Sequence, residues 1–395
     1  MGKVVIYKGQ SQYDVLRIFA DQLTGAFQSL GKDVDIVDFL APDSSMRLQE
    51  AFAGPIELVI AFNAIGIDFR LGAKSLYDAR EVPFVAIMVD HPVYHLQRLE
   101  QEVENLIIAC VDRSHVNFIN NYFSFQKSSI FLPHGGCYVS QGSINPNQQP
   151  RDIDVLFGGS FADPDILRNL WNDPKNLLTN LLNDIADFLL TQDCLSIEEG
   201  ADQVLAARGI YLSYELTRKF ILLLPLVDKY IRAYRRLACL KTLARSGLKV
   251  EIYGSNWESA GLDGNFIIHQ AISFPEMLNL MQRARIVLNI GPNFPDGSHE
   301  RVFSAMLNGA VAVSDYNKFY AQEFVNGENI ILYSWTKLDT LPDQVAGLLS
   351  RQDKLNEIAL AGRRLAIQKH TWLERAQTIL QRVDIYKGLK PLKVH

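Results

Sequence analysis

The stretch IVLNIGPNFPDGSHERVFSAMLNGAVAVSD, which runs from Ile286 to Asp315, decides the fold of this chain. It opens with a continuous apolar run, passes through a loop rich in glycine and proline, and continues with helical spacing as far as Asn308 and Gly309. A second apolar run follows, and such runs are typical of parallel strands buried on both faces. The stretch therefore predicts a β-loop-α-β unit in which Ser298 caps a helix that starts near position 299.

The same alternation extends in both directions along the chain. A first set of apolar runs predicts strands at 4–7, 34–39, 58–62, 84–89, 106–111 and 130–132, with a helix at 13–30. A second set predicts strands at 154–157, 249–254, 266–269, 285–290, 310–314 and 330–333, with helices at 274–283 and 299–307. The fold class is therefore predicted to be α/β, with two doubly wound, Rossmann-like domains that face a cleft.

A polar segment separates the two sets of strands. VSQGSINPNQQPR at 139–151 is poor in large apolar residues and rich in turn formers, which predicts a linker. We therefore place an N-terminal domain at 1–145 and a C-terminal domain at 146–375. Leu-rich helical spacing predicts a helical insertion at about 165–247. Residues 376–395 are predicted to form a C-terminal helix or tail that packs back on the N-terminal domain.

Composition and charge argue against several classes of protein. The 395 residues are 48% hydrophobic and 21% charged, as in ordinary globular domains. The net charge of -5, without a run of Lys and Arg, argues against a nucleic-acid partner. The first residues lack the pattern of a signal peptide, and the four cysteines have neither disulfide nor zinc spacing. We therefore expect a cytoplasmic protein with reduced thiols.

Two segments raise the question of a membrane contact. The run FILLLPLV at 220–227 is far shorter than the ~20 residues that span a bilayer, which favours a buried helix junction. A basic and aromatic helix face lies at 229–236. A solvated surface is the simplest interpretation of that face, and contact with an acidic acceptor or an anionic membrane is the alternative.

Polar residues concentrate at the start of the helix predicted at 299–307, where Ser298, His299, Glu300 and Arg301 follow one another. A helix N-terminus has amide groups without helical partners and the positive end of the helix dipole, which together suit a diphosphate. The alternative is a plain β-loop-α-β unit whose polar residues lie in solvent.

Two segments resemble a known family. HERVFSAMLNGAVAVSD at 299–315 and FVNGENIILYSW at 324–335 are similar to the C-terminal domain of the CgeB-like glycosyltransferases, relatives of the group 1 enzymes with the GT-B fold. The resemblance covers about residues 250–380. It implies a hexosyltransferase-type enzyme that moves a sugar from a nucleotide-sugar donor to a hydroxyl acceptor. It also implies that Glu300 and Arg301 lie at the helix start beside the donor phosphates, in a pocket shaped by Asn289, Gly291 and Ser298.

The chain departs from the group 1 pattern at one point. Enzymes of that group usually carry two glutamates eight residues apart, and the second binds the nucleotide ribose. The matching positions here are Asp296 and Ser304. A serine makes single hydrogen bonds where a carboxylate chelates the ribose diol, so Ser304 is predicted to bind the nucleotide more weakly. Glu300 is predicted to supply the missing carboxylate and to take part in catalysis.

Two glycine turns follow predicted strands of the C-terminal domain. Paired glycines in FGGS at 157–160 can expose amides to a phosphate. In YGSNW at 253–257, a glycine permits close backbone approach and the tryptophan offers a flat apolar face. By the family resemblance the second turn lies on the donor side; the alternative is a strand-end turn with a packed tryptophan. The predicted donor contacts are Gly158, Gly159, Ser160, Gly254, Ser255, Asn256 and Trp257.

Strand ends in the N-terminal domain carry candidates for the acceptor side. Asp90 and His91 follow a buried strand, where an acid beside an imidazole suits a base that deprotonates an acceptor hydroxyl. The alternative is a capped turn whose polar groups bind each other. His134 and Gly135 follow the last strand and are predicted to contact acceptor or sugar, and Asn63 is a further candidate.

Other catalytic schemes find little support. The sequence has no GxSxG elbow, HExxH motif or P-loop. Its three DxD triplets, at 33–35, 152–154 and 163–165, lie before strands or at a helix start, so we expect no metal and no cofactor. The predicted partners are a nucleotide sugar and an acceptor of unknown identity. Two alternatives stay open, namely a sugar-nucleotide epimerase on the same fold and a non-catalytic binding or scaffold protein.

Overall fold

The computed structural model describes residues 2–123, 127–139, 151–173 and 175–389. The chain divides into two compact units, Met1–Cys137 with Lys369–His395, and Tyr138–Gln368. These divisions lie close to the predicted boundaries at 145 and 375. Most of the predicted linker, residues 140–150, lies outside the described residues.

The first unit is built on a six-stranded parallel sheet of order β2-β1-β3-β6-β7-β8. A short antiparallel hairpin, β4-β5, accompanies it. Its strands are β1 (Lys3–Lys8), β2 (Val34–Asp38), β3 (Ile56–Phe62), β4 (Arg70–Leu71), β5 (Lys74–Ser75), β6 (Phe84–Met88), β7 (Leu106–Cys110) and β8 (Ser128–Phe131). Every residue of β6 and β7 is buried, as expected for continuous apolar runs covered on both faces. The order reverses between β1 and β3, which makes that pair the switch point of the sheet.

Helices connect the strands of the first unit. They are α1 (Val15–Ser29), α2 (Ser44–Ala53), α3 (Leu76–Ala79), α4 (Leu96–Leu99) and α5 (Arg113–Tyr122). The helix predicted at 13–30 corresponds to α1, which starts later because Tyr13 and Asp14 adopt left-handed backbone angles. Sequence patterns did not predict α2 or the β4-β5 hairpin.

The second unit has a six-stranded parallel sheet of order β11-β10-β9-β12-β13-β14. Its strands are β9 (Ile153–Gly158), β10 (Val250–Tyr253), β11 (Phe266–His269), β12 (Ala284–Asn289), β13 (Val311–Asp315) and β14 (Ile331–Tyr333). Numbered along the chain this order is 3-2-1-4-5-6, the doubly wound order of dinucleotide-binding folds. The order reverses between β9 and β12, so ligands are expected beyond the carboxyl ends of those two strands.

Helices of the second unit fall into two groups. A helical block comprises α6 (Pro164–Asn169), α7 (Leu177–Leu190), α8 (Ile197–Ala207), α9 (Tyr214–Ile221) and the first half of α10 (Leu224–Ala244). The remaining helices are α11 (Phe274–Arg283), α12 (Glu300–Leu307), α13 (Lys318–Glu323), α14 (Leu341–Leu349) and α15 (Gln352–Lys369). The predicted helix junction at 220–227 is the break between α9 and α10.

The long helix α10 joins the helical block to the sheet. Val227 and Tyr230 belong to the core of the block, whereas Cys239, Leu240 and Leu243 belong to the core under the sheet. Because one rigid helix serves both cores, the block is fixed to the sheet. This helix carries block residues to the carboxyl edge of β9.

The last helix, α16 (Trp372–Leu389), packs on α1 in the first unit. Its buried Trp372 contacts the rings of Phe19 and Phe62, with centroids 5.2 and 5.7 Å away. Arg375 Nε donates to the carbonyl of His134 at 2.9 Å. The end of the chain thereby completes the N-terminal core. No helix in the described part of the chain is long and apolar enough to cross a membrane.

Candidate functional site

The start of α12 differs from the sequence prediction in its cap. His299, not Ser298, is the cap residue: its Nδ1 accepts from the Arg301 amide at 3.2 Å. The His299 amide donates to the Tyr320 hydroxyl at 2.8 Å, and Ser298 is fully buried. Ser298 was the wrong prediction because the chain turns into the helix one residue later. Protein groups therefore already bind two of the amides at this helix start.

Asn289, at the end of β12, connects the sheet to the helix start. Its Oδ1 accepts from Arg301 Nη1 at 3.1 Å, and its Nδ2 donates to Ser314 Oγ at 3.0 Å. The Tyr333 hydroxyl donates to the Asn289 carbonyl at 3.1 Å. These bonds fix the side chain of Asn289, which in turn orients the guanidinium group of Arg301.

A buried carboxylate, Asp315, lies beside the loop after β12. Its Oδ1 accepts from the Gly291 amide at 3.0 Å, so Gly291 is held by protein. Burial raises the pKa of the Asp315 carboxyl above its usual range, and the Gly291 amide and the charge of Arg235 oppose that rise. Arg235 in turn donates to the Leu189 carbonyl at 2.8 Å and lies 4.9 Å from the ring of Trp335. Asp315 and Arg235 thus tie the helical block to the sheet edge.

Two guanidinium groups lie against one aromatic ring at the switch point. The Cζ atoms of Arg236 and Arg301 are 5.9 and 5.7 Å from the centroid of Phe157, in β9. Arg236 Nη1 also donates to the Ser160 carbonyl at 2.5 Å. Burial, together with the charges of Arg232 and Arg301, lowers the pKa of Arg236 to about 9, so the group still carries its charge at neutral pH. The site concentrates positive charge in a half-buried position.

The two glycine turns bind each other. A Cβ on Gly254 would stand 2.2 Å from the Gly159 carbonyl oxygen, so only glycine fits there. The Gly159 amide donates to the Tyr253 carbonyl at 2.9 Å, and the Ser255 amide donates to Ser160 Oγ at 3.1 Å. The amide of Gly159, which was predicted to face a phosphate, and the amide of Ser255 therefore hold the two turns together.

Trp257 is buried with 1% of its surface exposed, so it offers no flat face to a nucleobase, contrary to the sequence prediction. Its Nε1 donates to the Gly159 carbonyl at 2.6 Å, and its ring packs near Phe157 and Phe161. The residue before it, Asn256, takes a left-handed conformation with φ 70°. The tryptophan anchors the turn to the core.

The two carboxylate positions of the group 1 pattern have different environments. Ser304 has 0% exposed surface and its carbonyl accepts from Asn308 Nδ2 at 2.8 Å, so it presents no surface to a ribose. The prediction of a ribose contact at Ser304 is wrong because that face of α12 packs inward. Glu300 lies in the first turn, where its carboxylate contacts His299 Nδ1. It remains the candidate carboxylate of this site.

In the first unit, Asp90 lies near a different imidazole from the predicted one. Asp90 Oδ2 accepts from Asn63 Nδ2 at 2.9 Å and is 3.7 Å from His95 Nε2. His91 points inward: its Nδ1 accepts from the Val93 amide at 3.1 Å, and its ring lies 4.4 Å from that of His115. The side chains of these adjacent residues point in different directions, so Asp90 lies beside Asn63 and His95 and not beside His91.

His134 and Gly135 lie beneath the C-terminal helix. His134 is buried, and a Cβ on Gly135 would stand 2.5 Å from the ring of Trp372. Packing against Trp372 therefore accounts for the glycine. Their predicted contact with acceptor or sugar stays a prediction.

Sequence patterns did not predict His95 as a site residue, and they assigned Arg236 to the basic face at 229–236 instead of the donor side. Only part of that face is a solvated surface, because Tyr230 and Arg235 are buried whereas Lys229 and Tyr234 are exposed. Arg235 continues the spacing of the buried residues Leu224, Val227 and Ile231, a signal that would have predicted its burial. Among the described residues, no group of three or more His, Cys, Asp and Glu side chains is placed to hold a metal ion.

Two six-stranded, doubly wound parallel sheets define the fold class as GT-B, and part of the chain matches a glycosyltransferase family model. Residues 235–381 match the family model described as glycosyl transferase-like, and this segment is less than half of the chain. The match confirms the resemblance of the sequence to this class, while membership of the CgeB-like branch stays a prediction. No curated protein sequence matches the chain.

Solved structures share the fold at low sequence identity. The sucrose-phosphate synthase from Thermosynechococcus elongatus is 10% identical with a TM-score of 0.53, over 99% of this chain and 100% of that one. AviGT4, a glycosyltransferase involved in avilamycin A biosynthesis, is 10% identical with a TM-score of 0.56, over 99% of both chains. HepE from Anabaena, in complex with UDP and glucose, is 12% identical with a TM-score of 0.51, over 98% of this chain and 100% of that one. These similarities confirm the predicted fold.

Proposed function

We propose that the protein transfers a hexose from a nucleotide-sugar donor to a hydroxyl acceptor, and that the second unit binds the donor. In this proposal the donor diphosphate binds to Arg236 and Arg301, and the Glu300 side chain contacts the nucleotide or the sugar. The acceptor side is assigned to the first unit.

The observation that carries the proposal is the position of Arg236 and Arg301 on the ring of Phe157. Both lie where the strand order reverses, the place at which doubly wound sheets bind ligands. Guanidinium groups bind phosphate oxygens through paired N–H donors. Because the charges of Arg232 and Arg301 disfavour the charged form of Arg236, an anion bound there would relieve the repulsion.

Metal independence is part of the proposal. The two guanidinium groups would stabilise the negative charge that develops on the leaving diphosphate, which is the role a metal ion has in other transferases. The positive end of α12 adds to the same effect. EDTA is then expected to leave the transfer rate unchanged, and loss of activity in EDTA would contradict this part.

Thermal-shift measurements over a panel of nucleoside diphosphates and nucleotide sugars test the donor assignment. We expect at least one diphosphate to raise the melting temperature, since a ligand at 100 times its Kd stabilises the folded state by about 2.7 kcal/mol. Glu300→Ala and Arg301→Ala are expected to abolish the shift. The matched controls are Glu328→Ala and Arg351→Ala, at exposed positions of the same unit.

The outcomes separate the alternatives. If no nucleotide raises the melting temperature, the proposal fails and a non-catalytic scaffold is favoured. If the donor alone is converted to an isomer without an acceptor, the protein is an epimerase. A thermal shift that persists in both variants would show that the donor does not bind at the start of α12.

A further inference from the structure

Residues 290–299, which we call the donor loop, connect β12 to the start of α12, where the proposed function assigns the donor. The loop contains Pro292 and Pro295, which cannot donate backbone hydrogen bonds. Within the loop, the Phe294 amide donates to the Gly291 carbonyl at 3.1 Å. Phe294 and Pro295 are buried, so their carbonyls need hydrogen-bond partners from elsewhere in the chain.

Asn317, in the turn after β13, binds the donor loop with its side-chain amide. Its Nδ2 donates to the carbonyls of Phe294 and Gly297 at 2.9 and 3.0 Å. Its Oδ1 accepts from the Tyr320 amide at 2.6 Å and thereby caps α13. Asn317 is 3% exposed, and both ends of its amide group are in use. The side chain therefore cannot turn without breaking the helix cap or the loop contacts.

The residues that follow Asn317 hold further points of the donor loop. The Lys318 amide donates to the Pro295 carbonyl at 3.0 Å, in the middle of the loop. The hydroxyl of the buried Tyr320 accepts from the His299 amide at 2.8 Å, at the end of the loop. The first turn of α13 and its cap thus support the loop up to the residue that caps α12.

From these contacts we infer that Asn317 is a positioning residue for the donor, an inference that rests on the proposed function. It acts through the donor loop, whose end sets where Glu300 and Arg301 stand. A loop that is already held in its bound conformation loses little conformational entropy when a ligand binds, which favours affinity. Release of the loop should therefore weaken donor binding even though α12 itself is unchanged.

An asparagine side chain is suited to both tasks. Its carbonyl oxygen caps a helix as an aspartate does, and its NH₂ group adds two donors that aspartate lacks. Asn317→Asp therefore keeps the cap of α13 and places a carboxylate oxygen against the carbonyls of Phe294 and Gly297. This exchange separates a role in the helix from a role in the loop.

Isothermal titration calorimetry measures the effect, with the nucleoside diphosphate (UDP, GDP, ADP, CDP or TDP) that gives the largest thermal shift. In Asn317→Asp we expect Kd to rise roughly 5- to 150-fold, as for the loss of two hydrogen bonds. The number of binding sites per chain should stay that of the wild type. A merely structural role would instead reduce the number of binding sites, because some chains would be unfolded, and leave Kd unchanged.

The matched control is Asn176→Asp, the same exchange at the cap of α7, where Oδ1 accepts from the Leu178 amide at 3.0 Å. It is expected to keep the wild-type Kd. Asn317→Ser keeps a capping oxygen without the carboxylate charge, and it carries the same expectation of weaker binding if Asn317→Asp does not fold. Amide hydrogen exchange without nucleotide should be faster in the donor loop of the folded Asn317 variant than in the wild type.

The outcomes distinguish this inference from the proposed function. A wild-type Kd in a folded Asn317 variant, with or without fewer binding sites, would overturn the inference and leave the donor assignment intact. Unchanged hydrogen exchange in the donor loop would overturn it as well. A wild-type chain that binds no nucleoside diphosphate would contradict the proposed function and the positioning role with it.

Discussion

The backbone of Gly254 lies directly against that of Gly159, so that a Cβ at 254 would stand 2.2 Å from the Gly159 carbonyl oxygen. This contact joins the turns after β10 and β9 and brings them to the switch point of the second sheet. The Gly159 carbonyl also accepts from Trp257 Nε1 at 2.6 Å, which leaves little room for the turn to move. The position of the Ser160 carbonyl, and with it that of Arg236, depends on this contact.

Gly254→Ala is therefore expected to separate the two turns. Overpacking of this kind typically costs about 1–3 kcal/mol, measured as the free energy of unfolding in urea. Gly347→Ala is the matched control, since that helical position in α14 has an ordinary 4.0 Å contact and should gain about 0.5–1 kcal/mol. Equal unfolding free energies for the two variants would contradict the close approach.

Arg236→Met should weaken nucleoside diphosphate binding. A hydrogen bond to a charged group contributes about 1.5–3 kcal/mol, which corresponds to roughly a 10- to 150-fold increase in Kd. Isothermal titration calorimetry measures the difference. Arg245→Met, at the exposed end of the same helix, is expected to bind as the wild type does. An unchanged Kd in Arg236→Met would show that the diphosphate binds elsewhere.

His370 is expected to make the stability of the first unit depend on pH. Burial lowers its pKa to about 2, with the charges of Arg375 and Lys369 adding to the effect. In the unfolded chain the imidazole of His370 binds a proton near pH 6.5, whereas in the folded chain it stays neutral at that pH. The free energy of unfolding therefore falls as pH decreases below about 6.5. The slope contributed is about 1.4 kcal/mol per pH unit.

His370→Gln removes this titration. Urea denaturation between pH 7 and 4.5 should then give a shallower loss of stability than in the wild type. Identical slopes for the two chains would mean that His370 is protonated in the folded state.

Gly135 and Trp372 are expected to be energetically coupled. Trp372→Ala should cost about 3–5 kcal/mol, as for large buried aromatics. Gly135→Ala should lower the free energy of unfolding of the wild type, because its Cβ would stand 2.5 Å from the indole. The same change should have little effect once the indole is absent. A double-mutant cycle in urea measures the coupling. Equal costs of Gly135→Ala in both backgrounds would point to a different reason for the glycine.

Local chemistry in the sequence was sufficient for most elements of both sheets. The helix predicted at 274–283 has those bounds in the structure, because Ser273 and Glu276 form a capping box and Pro275 occupies the first turn. Strands such as β6 and β7 were predicted to within a residue or two, since uninterrupted apolar runs are typical of strands buried on both faces. Element α2 was missed because its apolar spacing is weak.

The sequence by itself determined the doubly wound class and the stretch around Asn289 to Asp315 that lies at the switch point. Tertiary structure alone decided which side chains meet there. Arg236 reaches Phe157 only because α10 crosses from the helical block to the sheet, over a separation of 79 positions from Phe157 (236 − 157). Asp90 meets Asn63 because β3 and β6 pair in parallel, whereas His91 caps the following 3-10 turn through the Val93 amide. The side chains of sequence neighbours at a strand end point in different directions, whereas residues on adjacent strands lie side by side. Local spacing in the sequence therefore does not predict which of these side chains meet.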